Sequence, residues 1–188
     1  MAAVHDKEAT MFENPEIDMQ ALPQAAAISW RSMDAKFLRR LLTQSMITLV
    51  ILTIGIGVMT TIFRIAFAGE AIPFNTAYLW LLVPLIAIPL IFGPLLKVPR
   101  IGFAVRDRDI LYKSGVFWHT VTVVPFNRIQ HVEKSSTPLD RRFGVATLQL
   151  FTAGGSGGDL NIHGLSADDA ENLRVFIIEK VGSIVERH

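Results

Sequence analysis

Two long runs without a charged residue stand out along the chain. Met46 to Phe63 carries no charge, and extending it back to Leu41 gives 23 residues; Ala77 to Leu96 is a second uncharged run of 20. At 1.5 Å rise per residue either run crosses a hydrocarbon core of about 30 Å, so the pattern predicts transmembrane helices over 41–63 and 77–96. Tyr78 and Trp80 lie near the start of the second run, where an aromatic belt belongs. The first run is not read as a cleaved signal peptide, because 40 residues containing six acids precede it and its apolar core is too long.

After Arg100 the pattern changes to short stretches rich in Val, Ile, Thr and aromatics, separated by turn residues. Ile101–Val105, Asp109–Ser114, Val116–Phe126, Ile129–Ser135, Val145–Thr152 and Leu160–His163 read as antiparallel strands. Gly115 supplies the positive φ for a tight turn at Lys113-Ser114-Gly115. Thr137-Pro138 through Phe143-Gly144 suits a capped helical turn with Pro138 early and Gly144 ending it. Ser166-Ala167-Asp168-Asp169 resembles a capping box, and Ala170, Leu173, Phe176, Ile177, Val181 and Ile184 then recur at helical spacing. A final amphipathic helix covering the sheet follows from that.

The chain before the first span divides in two. Residues 1–29 mix acids with Pro15 and Pro23 and show no sustained period, which predicts a mobile tail. In 30–40, Trp30, Met33, Phe37 and Leu41 share a helical face surrounded by Arg31, Lys36, Arg39 and Arg40. Two readings stay open there: an interfacial helix on anionic lipid, or an N-terminal extension of the first span.

Charge placement orients the hairpin. Arg31, Lys36, Arg39 and Arg40 precede the first span and Lys97 and Arg100 follow the second, whereas the connecting loop 64–76 holds Arg64 and Glu70. The cation asymmetry predicts an external loop, both termini in the cytoplasm and a multi-pass protein of the plasma (inner) membrane. Arg64 is expected to snorkel outward. Gly55, Gly57 and Thr61 favour close helix packing, and Pro84, Pro89 and Pro94 predict a kinked second span with freed carbonyls. Neither span contains an ionisable group, which argues against a transport path.

Composition fits this picture. Hydrophobic residues make up 51% and charged residues 19%, and the mean hydropathy of +0.39 is high for a protein living in water. A net charge of +1 provides no global field for nucleic acid, and zero Cys excludes disulfides and thiolate chemistry.

Two spans, the segment Val124-Pro125-Phe126-Asn127-Arg128-Ile129, then Leu139-Asp140-Arg141-Arg142-Phe143-Gly144, Ala153-Gly154-Gly155 and a final helix resemble bacterial pleckstrin-homology-like membrane proteins of the YdbS type. The resemblance covers roughly Leu41 to Val185. It implies an α+β membrane protein, with a two-helix transmembrane hairpin followed by a PH-like antiparallel sheet or partial barrel over 101–188, closed by the C-terminal helix.

Catalysis finds no support in spacing. His119, His131 and His163 lie apart in strand-like segments, no HExxH-type pattern occurs, and Gly154 to Gly158 lacks the GK[ST] ending of a phosphate loop. The chain is therefore expected not to be an enzyme and to need no cofactor. Phosphoinositide recognition, which the PH likeness brings to mind, would draw on Arg106, Arg108 and Lys113, but Asp107 and Asp109 interleave with them. From Ile101 onward ten cations balance ten anions. Arg39, Arg40, Arg106, Arg108, Arg141 and Arg142 are the candidate contacts for lipid or partner. The first reading is a membrane-anchored interaction and assembly module, through self-association or a related membrane protein; the alternative is binding of membrane lipid headgroups or membrane-active compounds.

Overall fold

A computed structural model describes residues 28–68, 75–153 and 160–185. The tail before Ile28, part of the interhelical loop, the glycine-rich segment 154–159 and the side chain of Ile184 lie outside the described residues. The α+β class holds. Strands β1 (Arg31–Ser32), β2 (Gly102–Val105), β3 (Asp109–Ser114) and β4 (Thr120–Pro125) form one antiparallel sheet in that order. Strands β5 (Ile129–Ser135), β6 (Val145–Thr152) and β7 (Leu160–Ser166) form a second. No strand pair links the two sheets among the described residues, so the strands do not close into a barrel.

The helices are α1 (Ala35–Ala66), α2 (Leu82–Lys97), α3 (Pro138–Phe143) and α4 (Ala167–Val185), with a 3-10 turn at Thr76–Leu81 leading into α2. One core serves both sheets and α4. Phe103, Ile110, Tyr112 and Val124 of the first sheet meet Leu148, Leu150 and Ile162 of the second, with Phe126 at the corner, and Ala170 and Ile177 close it from α4. Phe126 and Phe176 meet edge to face, with centroids 6.1 Å apart.

The capping expectations explain the helix starts. Thr137 and Asp140 form a reciprocal box, with the Asp140 amide donating to Thr137 Oγ1 at 3.1 Å and the Thr137 amide to Asp140 Oδ2 at 2.9 Å. Gly144 ends α3 with φ 66°. At α4 the Asp169 amide donates to Ser166 Oγ at 3.0 Å.

Three features depart from the expected pattern. The strand expected over Val116–Phe126 begins only at Thr120, because Gly115 (φ 128°) opens a five-residue loop between the paired Ser114 and Thr120. The last strand runs on to Ser166. A strand also precedes the first apolar helix: Arg31 pairs with Phe103 and Ser32 with Gly102. The α1–α2 hairpin is thus an insertion between the first two strands of the sheet.

α1, and the helical stretch Thr76–Arg100 that contains α2 and its flanking 3-10 turns, are each long and apolar enough to cross a membrane. They hold each other at a proline. Pro94 has no N–H, which leaves the Leu90 carbonyl without its helical donor, and Ser45 Oγ of α1 fills it at 2.8 Å. Gly57 faces the Trp80 ring, where an added Cβ would stand 3.8 Å from it, while Gly55 faces open space.

Candidate functional site

The site begins where α1 meets the strands. Asp34 caps α1 by accepting from the Lys36 amide at 2.7 Å, and its own amide donates to the Gly164 carbonyl of β7 at 3.0 Å. Gly164 has φ 80°, and a Cβ there would overlap the Phe37 ring. Met33 and Phe37, each 8% exposed, belong to the core of the β-domain. The interfacial-helix reading of 30–40 is therefore corrected: the segment is a strand and a helix start whose apolar side lies on the domain, and α1 continues unbroken into its long uncharged stretch. Trp30 faces Lys113, whose Nζ lies 4.7 Å from the ring centroid.

Beside this contact, Arg40 Nε donates to Asp140 Oδ1 at 2.6 Å, with side chains 15% and 10% exposed, and Arg40 reaches Gln44 Oε1 at 2.5 Å. Burial pushes the Asp140 carboxyl up, but the Thr137 hydroxyl and amide and the Arg40 guanidinium outweigh it and hold the carboxyl below its usual pKa. The same capping box that starts α3 thus aims a carboxylate at α1. His163 borders the groove formed here, near Lys97 and Gln149. Its Nδ1 lies 3.2 Å from Thr147 Oγ1, and burial, then the Lys97 charge, lowers its pKa although part of the ring meets solvent. On the core side, burial raises the Tyr112 pKa.

The six candidate arginines do not converge on one patch. Arg40 is spent on Asp140. Arg39, Arg141 and Arg142 are exposed near the start of α1, Arg141 reaching the Ser136 carbonyl at 3.3 Å. Arg106 and Arg108 occupy the β2–β3 turn at the opposite end of the sheet, beyond the Val105–Ile110 pair, and Arg106 stands 4.0 Å from Asp109. Arg106 and Arg108 therefore cannot join Arg39, Arg141 and Arg142 around one headgroup.

A second groove, of about 250 Å³, runs between the edge strand β5 and α4. Ile129, Gln130, His131 and Val132 form one wall, and Arg174, Ile178 and Val181 the other. Among the described residues β5 pairs with β6 on one side only, and its Ile129–His131 stretch carries a bulge. His131 Nε2 lies 2.9 Å from Glu133 Oε1, and a Lys134–Glu171–Arg174 chain at 3.1 and 2.6 Å ties β5 to α4. The Arg174 and Lys134 hydrogen bonds lower the Glu171 pKa, and Glu171 raises that of Arg174. Ile178 was the available signal in the sequence, an apolar residue of α4 off the core-facing positions and 47% exposed. Among the described residues no three His, Asp or Glu side chains gather as metal ligands.

Residues 36–181, from the first turn of α1 through most of α4, match the family described as Bacterial PH domain. The chain belongs to this family. The bacterial PH domain match takes in both apolar helices together with the two sheets, and leaves β1 just outside it. The chain is also 32% identical over 98 residues to the UPF0699 transmembrane protein YdbS of Bacillus subtilis (strain 168), covering 50% of this chain and 57% of that protein. It thus spans little more than half the length of that relative. No solved structure matches. A PH-like domain joined to long apolar helices, in a family with a transmembrane relative, makes this a membrane-associated PH-like protein.

Proposed function

We propose that this bacterial PH domain protein crosses the membrane twice with both termini in the cytoplasm, and that its domain is a non-catalytic assembly module. The β5–α4 groove carries the reading. An edge strand offers unpaired main-chain groups to an added strand, and a neighbouring helix supplies side-chain contacts that choose which strand is accepted. The occupant is an extended segment of a second membrane protein of this family, this chain included. Tethering both to one bilayer raises their effective concentration, so a shallow groove suffices. The cations flanking the two helices support the cytoplasmic placement.

The test is gentle detergent extraction followed by native mass measurement of the full chain and of Ile178→Arg, which places a long cation in the groove. Complexes of two or more chains, lost in the variant, are expected. Equal assembly of both proteins would overturn the groove. A strictly monomeric chain with stoichiometric lipid would favour the second reading, in which exposed Arg39, Arg141 and Arg142 meet lipid headgroups beside the α1 entry.

A further inference from the structure

Phe117 and Trp118 are 85% and 83% exposed at the tip of the β3–β4 hairpin, and neither groove nor core uses them. The tip is a built loop. Gly115 takes φ 128° there, and a Cβ at that position would overlap the Trp118 carbonyl, so the chain folds back on itself and turns both aromatic side chains outward.

Strand register fixes where the tip lies. Gly102 pairs with both Ser32 and Lys113. Ser32 leads through Asp34 into α1, and Gly102 follows the turn that ends α2 at Arg100. The two apolar helices and the hairpin tip therefore leave the sheet at the same end. Beyond the Gly102–Lys113 pair the chain continues through Ser114 into the loop, past the end of the sheet where β2 begins. Lys113, the residue of β3 paired with Gly102, carries a cation at this end of the sheet. Exposed aromatic side chains at the end of the sheet from which two long apolar helices leave have the composition of an interfacial belt.

We propose that the Gly115–His119 loop is a third membrane contact, with Phe117 and Trp118 seated at the headgroup–acyl boundary beside the two spans. This rests on the reading that the helices cross a bilayer. The Met33 and Phe37 packing and the Arg40–Asp140 pair already hold the start of α1 on the domain, and the loop adds a separate contact with the lipid from the first sheet.

The chain has three tryptophans, so Trp30→Phe with Trp80→Phe leaves Trp118 as the sole tryptophan of the full protein, read by excitation at the red edge where tyrosine does not absorb. Reconstituted in vesicles of phosphatidylcholine and phosphatidylglycerol, this variant should emit toward the blue, resist iodide and lose most of its intensity when brominated lipids replace ordinary ones. Red-shifted, iodide-quenched emission indifferent to bromine would overturn the proposal. So would protection from iodide that varies with protein density and ignores bromine, since that assigns the tip to a second copy. A companion variant keeping only Trp80 tests the spans separately: if bromine fails to quench Trp80, the spanning reading falls instead. The chain has no Cys, so a nitroxide on Trp118→Cys repeats the measurement with both other tryptophans intact, and oxygen accessibility exceeding that to a nickel chelate is the expected result.

Discussion

Phe37 and Ile54 lie on the same helix and carry comparable apolar surface, yet Phe37 is 8% exposed and Ile54 61%. The first turns of α1 have strand β7 against them, and among the described residues the uncharged stretch beyond has α2 and the Thr76–Leu81 turn on one side. Neighbours on α4 repeat the contrast, with Ile177 at 0% and Ile178 at 47%. Hydrophobicity alone does not say what covers a residue. One apolar helix can serve as core at one end and as a surface for lipid at the other, so effects of substitution should follow contact and not composition.

The sharpest break of that comparison is Ile177→Asp set against Ile178→Asp. The first leaves an unpaired charge in the core and should cost about 4 kcal/mol or more, removing the cooperative thermal transition of the domain; the second should leave it nearly unchanged. Equal effects would show that the α4 face is assigned wrongly. Next is Gly164→Ala, which sets a Cβ against the Phe37 ring at φ 80° and should cost about 3 kcal/mol by denaturant unfolding in detergent. A wild-type midpoint there would mean that α1 is not docked on β7.

Asp140→Asn should cost about 2 kcal/mol at neutral pH by leaving Arg40 half-buried without its anion. The pH dependence has a definite sign. The Asp140 pKa is lower in the folded chain, so the native state binds fewer protons, and the contribution is complete above the unfolded carboxyl pKa and lost as pH falls through the folded one. Melting temperatures should therefore fall less steeply below about pH 4 in the variant than in the parent. Smallest is Ser45→Ala, which leaves the Leu90 carbonyl unpaired beside Pro94 and should weaken hairpin association by about 1 kcal/mol, read as an earlier loss of helix contact on titration with a denaturing detergent.

Much of the fold was legible because its signals are local. Uncharged runs, the Thr137–Asp140 box, Gly144 and the helical spacing of Ala170, Leu173 and Ile177 all act within a few residues. What escaped was set by long-range pairing. Arg31–Ser32 is too short to show a period, and its partner lies across the whole hairpin; Met33 and Phe37 looked like a lipid-facing stripe because nothing nearby announces Gly164. Phe117 and Trp118 read as strand because aromatics favour strands, although Gly115 turns them out of the sheet. The arginines were legible as charges, while the β2–β3 register set Arg106 and Arg108 at the far end of the first sheet, away from Arg39 on α1 and Arg141 and Arg142 on α3.

Inserting the hairpin between β1 and β2 sets an order of biosynthesis. The ribosome makes β1, Met33 and Phe37 first, then both apolar helices, and only afterwards every strand and core residue that receives them. In a chain that crosses the bilayer as proposed, β1 therefore waits at the membrane until the second helix has returned and β2 has followed. Successful closure of the sheet reports that the hairpin re-emerged on the side where it entered. A fragment starting at Ile101 lacks the edge strand and the Phe37 ring over Gly164, so excision yields an unfinished domain.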